Sequence, residues 1–267
     1  MDLILPDWIG APPGVGACST TRTGGFSTAP FDDGSGSGKH GLNLGANVDD
    51  DAQNLARNRQ QLQAHLPGAP VWLLQVHGSV VVDAAAVVTG AAIQSQAHLC
   101  EADASFTDKP GVVCVVTTAD CLPVLFTDMR GSIVAAVHAG WRGLAAGILQ
   151  STVAAMRARS VQNAGDSGEL LAWLGPAIGP QHFEVGADVH AAMMCHDPRA
   201  DAAFRAIPGK PDKYLADIYH LARLILANCG IRRIAGGQFS TFGDAARFYS
   251  YRRDGKTGRM ATMIWIK

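Results

Sequence analysis

Interleaved strand and helix patterns predict an α/β or α+β fold. Short apolar, β-branched runs at 112–118 and 133–137 have the composition of buried strands. Apolar residues recur with helical spacing at 144–159 and 214–229, so helices alternate with those strands. The 30 Gly and 13 Pro favour many short elements over a few long helices.

The elements follow in order. Residues 51–66 predict a helix, with Leu55, Leu62 and Leu66 on its apolar side. The run 71–76 is apolar and ends at His77-Gly78, and 80–88 is a second β-type run. After the buried strands at 112–118 and 133–137 comes a helix over 144–159, carrying Leu144, Ile148, Val153 and Met156. A strand at 170–174 stops at Gly175-Pro176. A helix over 214–229 presents Leu215, Ile218, Leu221, Leu224, Ile225 and Leu226, and Gly230 is a suitable stop. Strands are expected at 231–235, 247–251 and 261–266. The Gly/Ser loop 32–39 and the polar break 162–168 are too short to force a boundary, so 1–267 is expected to be one domain.

Composition narrows the function classes. Apolar residues make up 48% of the 267, enough for a sizeable core. Lys+Arg 22 against Asp+Glu 23 leaves a net charge of −1, without the overall basic footprint of a nucleic-acid binder. The apolar runs are too short for a membrane span. The opening MDLILPDWIGAPPGVG has no Lys or Arg ahead of its apolar residues, unlike a signal peptide. Six cysteines without a Cys-x-x-Cys pair are too sparse for a disulfide scaffold. The expectation is a cytoplasmic protein with reduced thiols, any of which could be a ligand or nucleophile.

Three such groups fall where apolar runs give way to turns: His77 after 71–76, Cys121 just past 112–118, and His138 after 133–137. In α/β sheets such ends face the binding crevice. Two His and one Cys suit Zn²⁺, leaving a fourth position for water or substrate. Binding would require the thiolate and so would lower the effective pKa of Cys121. The ligands are dispersed, and no compact motif joins them.

A resemblance sharpens this reading. Thr118-Ala119-Asp120-Cys121-Leu122-Pro123 and His138-Ala139-Gly140-Trp141-Arg142-Gly143 are specific segments. Thr20-Thr21-Arg22-Thr23-Gly24-Gly25, Leu42-Asn43-Leu44-Gly45, Gln75-Val76-His77-Gly78, Ala102-Asp103-Ala104 and Tyr249-Ser250-Tyr251-Arg252-Arg253 accompany them in order. With these segments the chain resembles the YfiH or laccase-domain family, also called multicopper polyphenol oxidases and more recently read as purine nucleoside phosphorylases. The resemblance implies a layered sandwich of mixed sheets flanked by helices, like the cytotoxic-factor cysteine hydrolases. It implies zinc on His77, Cys121 and His138. It also implies purine nucleosides and phosphate as substrates, with phosphorolysis of adenosine, inosine, guanosine or methylthioadenosine and deamination of adenosine. The chain departs from the family pattern at Asn47-Val48-Asp49-Asp50, where His-x-Gly-Asp is usual, and at Ser240-Thr241, where Cys-Thr is frequent.

Further candidates follow from side-chain chemistry. Arg22, Arg142, Arg252, Arg253 and Arg259 are candidates for holding phosphate, since a guanidinium binds two oxygens in fixed geometry. Arg22 or one of Arg142, Arg252 and Arg253 is expected beside the metal. Asn43 could hydrogen-bond ribose or base. Asp103 and Asp120 are the candidate acid/base groups, although Asp120 in an extended segment would point away from Cys121. Cys114 reads as a small apolar residue, and Cys18, Cys100, Cys195 and Cys229 have no ligand spacing. His40, His65, His98, His182, His190, His196 and His220 read as surface or packed residues.

Three activities remain open at this point. A zinc-dependent nucleoside enzyme would polarise its substrate at the metal. A cysteine hydrolase would use Cys121 as nucleophile and His138 as base, and peptidoglycan-precursor editing belongs to this alternative. A copper-dependent polyphenol oxidase fits poorly, because nine His without a His-x-His pair cannot supply four coppers, although one copper could replace zinc.

Overall fold

The structure, a computed structural model, describes residues 1–89, 100–165 and 168–267. His98 and part of the polar break 162–168 lie outside them. Two sheets pack face to face. The first contains β1 (Leu3–Ile4), β2 (Val15–Thr20), β4 (Pro70–Val71), β7 (Val113–Thr118) and β15 (Met260–Ile266), ordered β1-β2-β15-β7-β4. The second contains β5 (Val81–Asp83), β6 (Ala104–Thr107), β8 (Leu122–Asp128), β9 (Val134–Ala139), β10 (Leu170–Leu174) and β14 (Arg233–Gly236), ordered β14-β10-β8-β9-β6-β5. Both are mixed: β4 runs parallel to β7, and β5 to β6, among antiparallel neighbours. A small third sheet joins β11 (Glu184–Gly186), β12 (Phe204–Ala206) and β13 (Lys213–Ala216). β3 (Thr23–Ser27) stands apart from these ladders.

Alternation along the strands builds the layers. Cys114 and Val116 of β7 face Leu125, Val134, Ala136 and Trp173 of the second sheet. Val113 and Val115 point the other way, onto Leu42, Leu44 and Leu62. Leu62 belongs to α1 (Ala52–Gln63), capped by Asp51, whose carboxylate accepts from the N–H groups of Gln53 and Asn54. On the far face of the second sheet, Leu122, Val124, Phe126, Val137 and Leu174 pack against α4 (Ile148–Ala164) and α6 (Ile218–Asn228). The result is a layered α/β sandwich.

Several expected elements differ. The 80–88 run is strand only to Asp83, whose carboxylate accepts from Ala85 N and starts α2 (Ala84–Thr89). The 144–159 helix is broken at Gly147, which has φ +85°, into α3 (Trp141–Ala145) and α4. The 214–229 helix begins only after Asp217 caps it, and the residues before belong to β13. Residues 247–251 form no ladder; buried Phe248, Tyr249 and Ser250 lead into α7 (Tyr251–Asp254), and Tyr249 N contacts the Met260 sulfur. The element α5 (Ala187–Met194) was not expected, nor was β8, whose Pro123 hides a central strand.

Candidate metal centre and its cavity

His77 sits in a loop, not at a strand end. After β4 the chain leaves the ladder, because the Gln75 side chain takes over β7's backbone groups. It accepts from Thr117 N at 2.8 Å and donates to Thr117 O at 2.8 Å. The loop then folds round Asp103, buried at 0% exposure. That carboxylate accepts from Val76 N (3.2 Å), His77 N (2.9 Å) and Gly78 N (2.7 Å), and the turn puts His77 at φ +61°. His138 lies inside β9, one residue before its end, where its Nδ1 donates to the same carboxylate at 2.8 Å. Asp103 therefore holds the His77 backbone and the His138 ring, and leaves the His138 Nε2 to Cys121. Cys121 occupies the turn between β7 and β8.

The three side chains converge. Their ligating atoms lie within 4.8 Å of one another, with Cys121 Sγ 3.8 Å from His77 Nε2. Among the described residues this is the one such group of three. Burial pushes the Cys121 thiol up, but His138 and His77 prevail and bring it down to about 6. Burial opposes the charged form of His138 as well, yet Cys121 and Asp103 raise its pKa. Asp103 shows the same balance: burial raises it, but the His138 bond and the Gly78 and His77 amides hold it below the usual carboxylate range. A thiolate, an imidazole on an exposed loop and a second imidazole locked by a carboxylate form a donor set that fits a metal ion. Gly140 completes the cradle, since a Cβ there would lie 2.9 Å from Cys121 Sγ.

The centre opens into a cavity of about 420 Å³. Its cations are Arg59 and Arg259, and its aromatic walls are Trp72 and Tyr251. Arg59 stacks on Trp72 at 3.9 Å and gives Nε and Nη2 to Leu44 O. Arg259 gives Nη1 to the carbonyls of Thr257 and Gly258. Its backbone N is fixed by buried Asn43, whose amide also bonds Gly45 and Asp50. Asn43 thus holds Arg259 in place and does not line the cavity.

The other expected anion ligands are elsewhere. Arg22 is buried on Asp32 and Ala245 O. Arg253 clamps the carbonyls of Thr241, Phe242 and Phe248. Arg252 reaches Glu184 O, and exposed Arg142 lies over Trp141. None of these four lines the cavity. Asp120 accepts from the Thr241 hydroxyl at 2.6 Å and Arg252 N at 2.7 Å, so it ties α7 to the Cys121 turn. Cys114 is fully buried, and burial pushes its thiol up to about 12. Sequence reasoning missed Arg59, Trp72 and Tyr251. Arg59 had a usable signal, since it follows buried Asn58 between Leu55 and Leu62 on the inner side of α1.

Residues 16–267 match the family model described as multi-copper polyphenol oxidoreductase laccase. The chain belongs to this laccase-domain family. Among curated relatives, one from Pseudomonas aeruginosa is 48% identical over 99% of this chain and 98% of its own. Another, from Escherichia coli K12, is 49% identical over the same shares. Both are named purine nucleoside phosphorylase, the latter as YfiH. The crystal structure of a Neisseria meningitidis protein superposes with a TM-score of 0.84 at 44% identity, covering 100% of both chains. YlmD of Geobacillus stearothermophilus gives 0.85 at 30% identity, over 100% of this chain and 98% of its own. The layered fold inferred for the laccase-domain family is therefore that of this chain. Among the described residues, no helix is long and apolar enough to cross a membrane.

Proposed function

We propose that this chain is a zinc-dependent purine nucleoside phosphorylase. The observation that carries the reading is the His77–Cys121–His138 group opening into a cavity with two arginines. A zinc ion held by those three side chains would supply a Lewis acid beside the reacting centre. Arg259, one of the arginines expected from sequence, and Arg59, which was not, are the residues suited to hold phosphate. One phosphate oxygen forms the new bond to ribose C1′ as the C1′–N9 bond breaks, and the purine leaves with that electron pair. Asp103 holds the His138 imidazole and the backbone that carries His77, while Trp72 and Tyr251 narrow the volume open to water. The names of the relatives support the same reaction class.

The test is incubation of the purified, metal-analysed protein with inosine, with and without phosphate. Phosphate-dependent release of hypoxanthine and ribose 1-phosphate is expected. Base release without phosphate would replace the reading by hydrolysis, and ammonia from adenosine would add deamination. One geometric feature favours a second reading. Cys121, His138 and Asp103 stand in the order nucleophile, base and orienting carboxylate. Retention of turnover after complete metal removal, with loss on alkylation of Cys121, would establish this cysteine hydrolase instead.

A further inference from the structure

We propose that Tyr251 is the platform on which the purine base stacks, so that this residue sets nucleoside affinity and leaves bond cleavage to the metal centre. The inference deepens the phosphorylase reading and rests on it. Tyr251 lines the cavity, yet it is 61% exposed. A large ring left that open beside a polar site is a face waiting for a flat partner. The nearest cation, the Arg259 guanidinium, is 5.8 Å from its centroid. The other aromatic wall differs, because the Arg59 guanidinium already sits 3.9 Å over Trp72.

The ring is exposed, but its root is rigid. α7 has four residues and would not persist alone. It is held because Ser250 Oγ accepts from Arg253 N at 3.2 Å and Asp120 Oδ2 accepts from Arg252 N at 2.7 Å. The Arg252 side chain adds a 2.7 Å bond to Glu184 O. Asp120 immediately precedes Cys121 in the chain. The platform and the donor sulfur therefore hang on one short stretch, and a base lying on the ring is held at a set distance from the centre. Such preorganisation lowers the ordering cost of binding. A flat face senses ring area more than exocyclic groups, so adenosine, inosine and guanosine should depend on it alike.

The experiment compares wild type, Y251F, Y251L and Y251A. Nucleoside KM, phosphate KM and kcat are measured, together with zinc content and hypoxanthine affinity by calorimetry. Y251A should raise KM for all three nucleosides by about 5- to 100-fold and weaken hypoxanthine binding by the same factor. Its kcat, phosphate KM and zinc content should stay within about twofold, the signature of lost uniform binding. Y251F should match wild type, and Y251L, which keeps the bulk without the π face, should resemble Y251A. The proposal is overturned if Y251A leaves both nucleoside KM and hypoxanthine affinity unchanged, if Y251F falls as far as Y251A, or if phosphate KM moves instead. Hypoxanthine binding needs no turnover. A wild type that binds the base through Tyr251 but releases none from inosine retires the phosphorylase reading and leaves the platform standing. A wild type that binds no base retires the platform.

Discussion

Adding one methyl group at Gly140 should unload the proposed metal centre without replacing a ligand. Gly140 has φ −64° and ψ 164°, which alanine adopts freely, so the backbone bears no strain. The new Cβ would lie 2.9 Å from Cys121 Sγ, 3.6 Å from Cys121 Cβ and 3.3 Å from His77 Cδ2. Comfortable contacts are about 3.5–4.0 Å, so the sulfur must retreat by roughly 0.6–1 Å. Overpacking of this kind costs about 1–3 kcal/mol. A cysteine χ1 rotation relieves most of it in the metal-free fold, but that rotation carries the thiolate out of reach of the imidazoles. The strain therefore appears in metal affinity, as a weakening of about 5- to 150-fold. Competition with a chelator of known affinity measures it. The thermal midpoint of the metal-free G140A protein should fall by only a few degrees, and inosine phosphorolysis should fall with zinc occupancy. Unchanged zinc affinity and turnover in G140A would refute the placement of Cys121 Sγ at the centre.

Other substitutions separate chemistry from scaffold. C121S should retain the fold and lose zinc and turnover, whereas C114A should cost about 1–2 kcal/mol in denaturant unfolding and keep both. D103N leaves three amides and the His138 Nδ1 with a poorer acceptor, so zinc affinity should drop about 10- to 100-fold in chelator competition. R59A should raise the phosphate KM, while R22A should lower stability by roughly 2–3 kcal/mol and leave the phosphate KM near wild type. With Cys121 lowered from 9.0 to about 6 and its partner His138 raised from 6.5 to about 9, the stability gained from the pair is greatest between those values, is lost as pH falls through 6 and is lost again as pH rises through 9. Alkylation of Cys121 in zinc-depleted protein should titrate with a midpoint near 6, and H138A should move that midpoint toward the ordinary thiol value.

What the sequence carried was the chemistry of motifs, and what it hid was long-range geometry. The buried runs at 112–118 and 170–174 are strands because continuous apolar residues leave few alternatives. Pro123 and the small residues of Val15–Thr20 masked two strands that pairing partners, not local composition, stabilise. His77, Cys121 and His138 were legible as a donor set, but the device that gathers two of them was not. Asp103 looked like an acid/base candidate, and its burial among three amides and an imidazole makes it a fixed brace. The arginines misled for a physical reason. A guanidinium with five donors satisfies stray backbone carbonyls as readily as phosphate, and Arg22 and Arg253 do the former. Whether an arginine faces a cavity depends on tertiary packing, which placed Arg59 there through the phase of α1.

The strand order also fixes when the site can exist. β15, made after every other strand of its sheet, is not added at an edge but lies between β2 and β7. Until residues 260–266 arrive, β2 and β7 each expose a row of unpaired backbone groups, and Arg259 is missing from the cavity wall. Pairings that distant in sequence close slowly. A nascent chain would hold Cys121 and His138 long before it could bind substrate, with open strand edges exposed to aggregation in the interval.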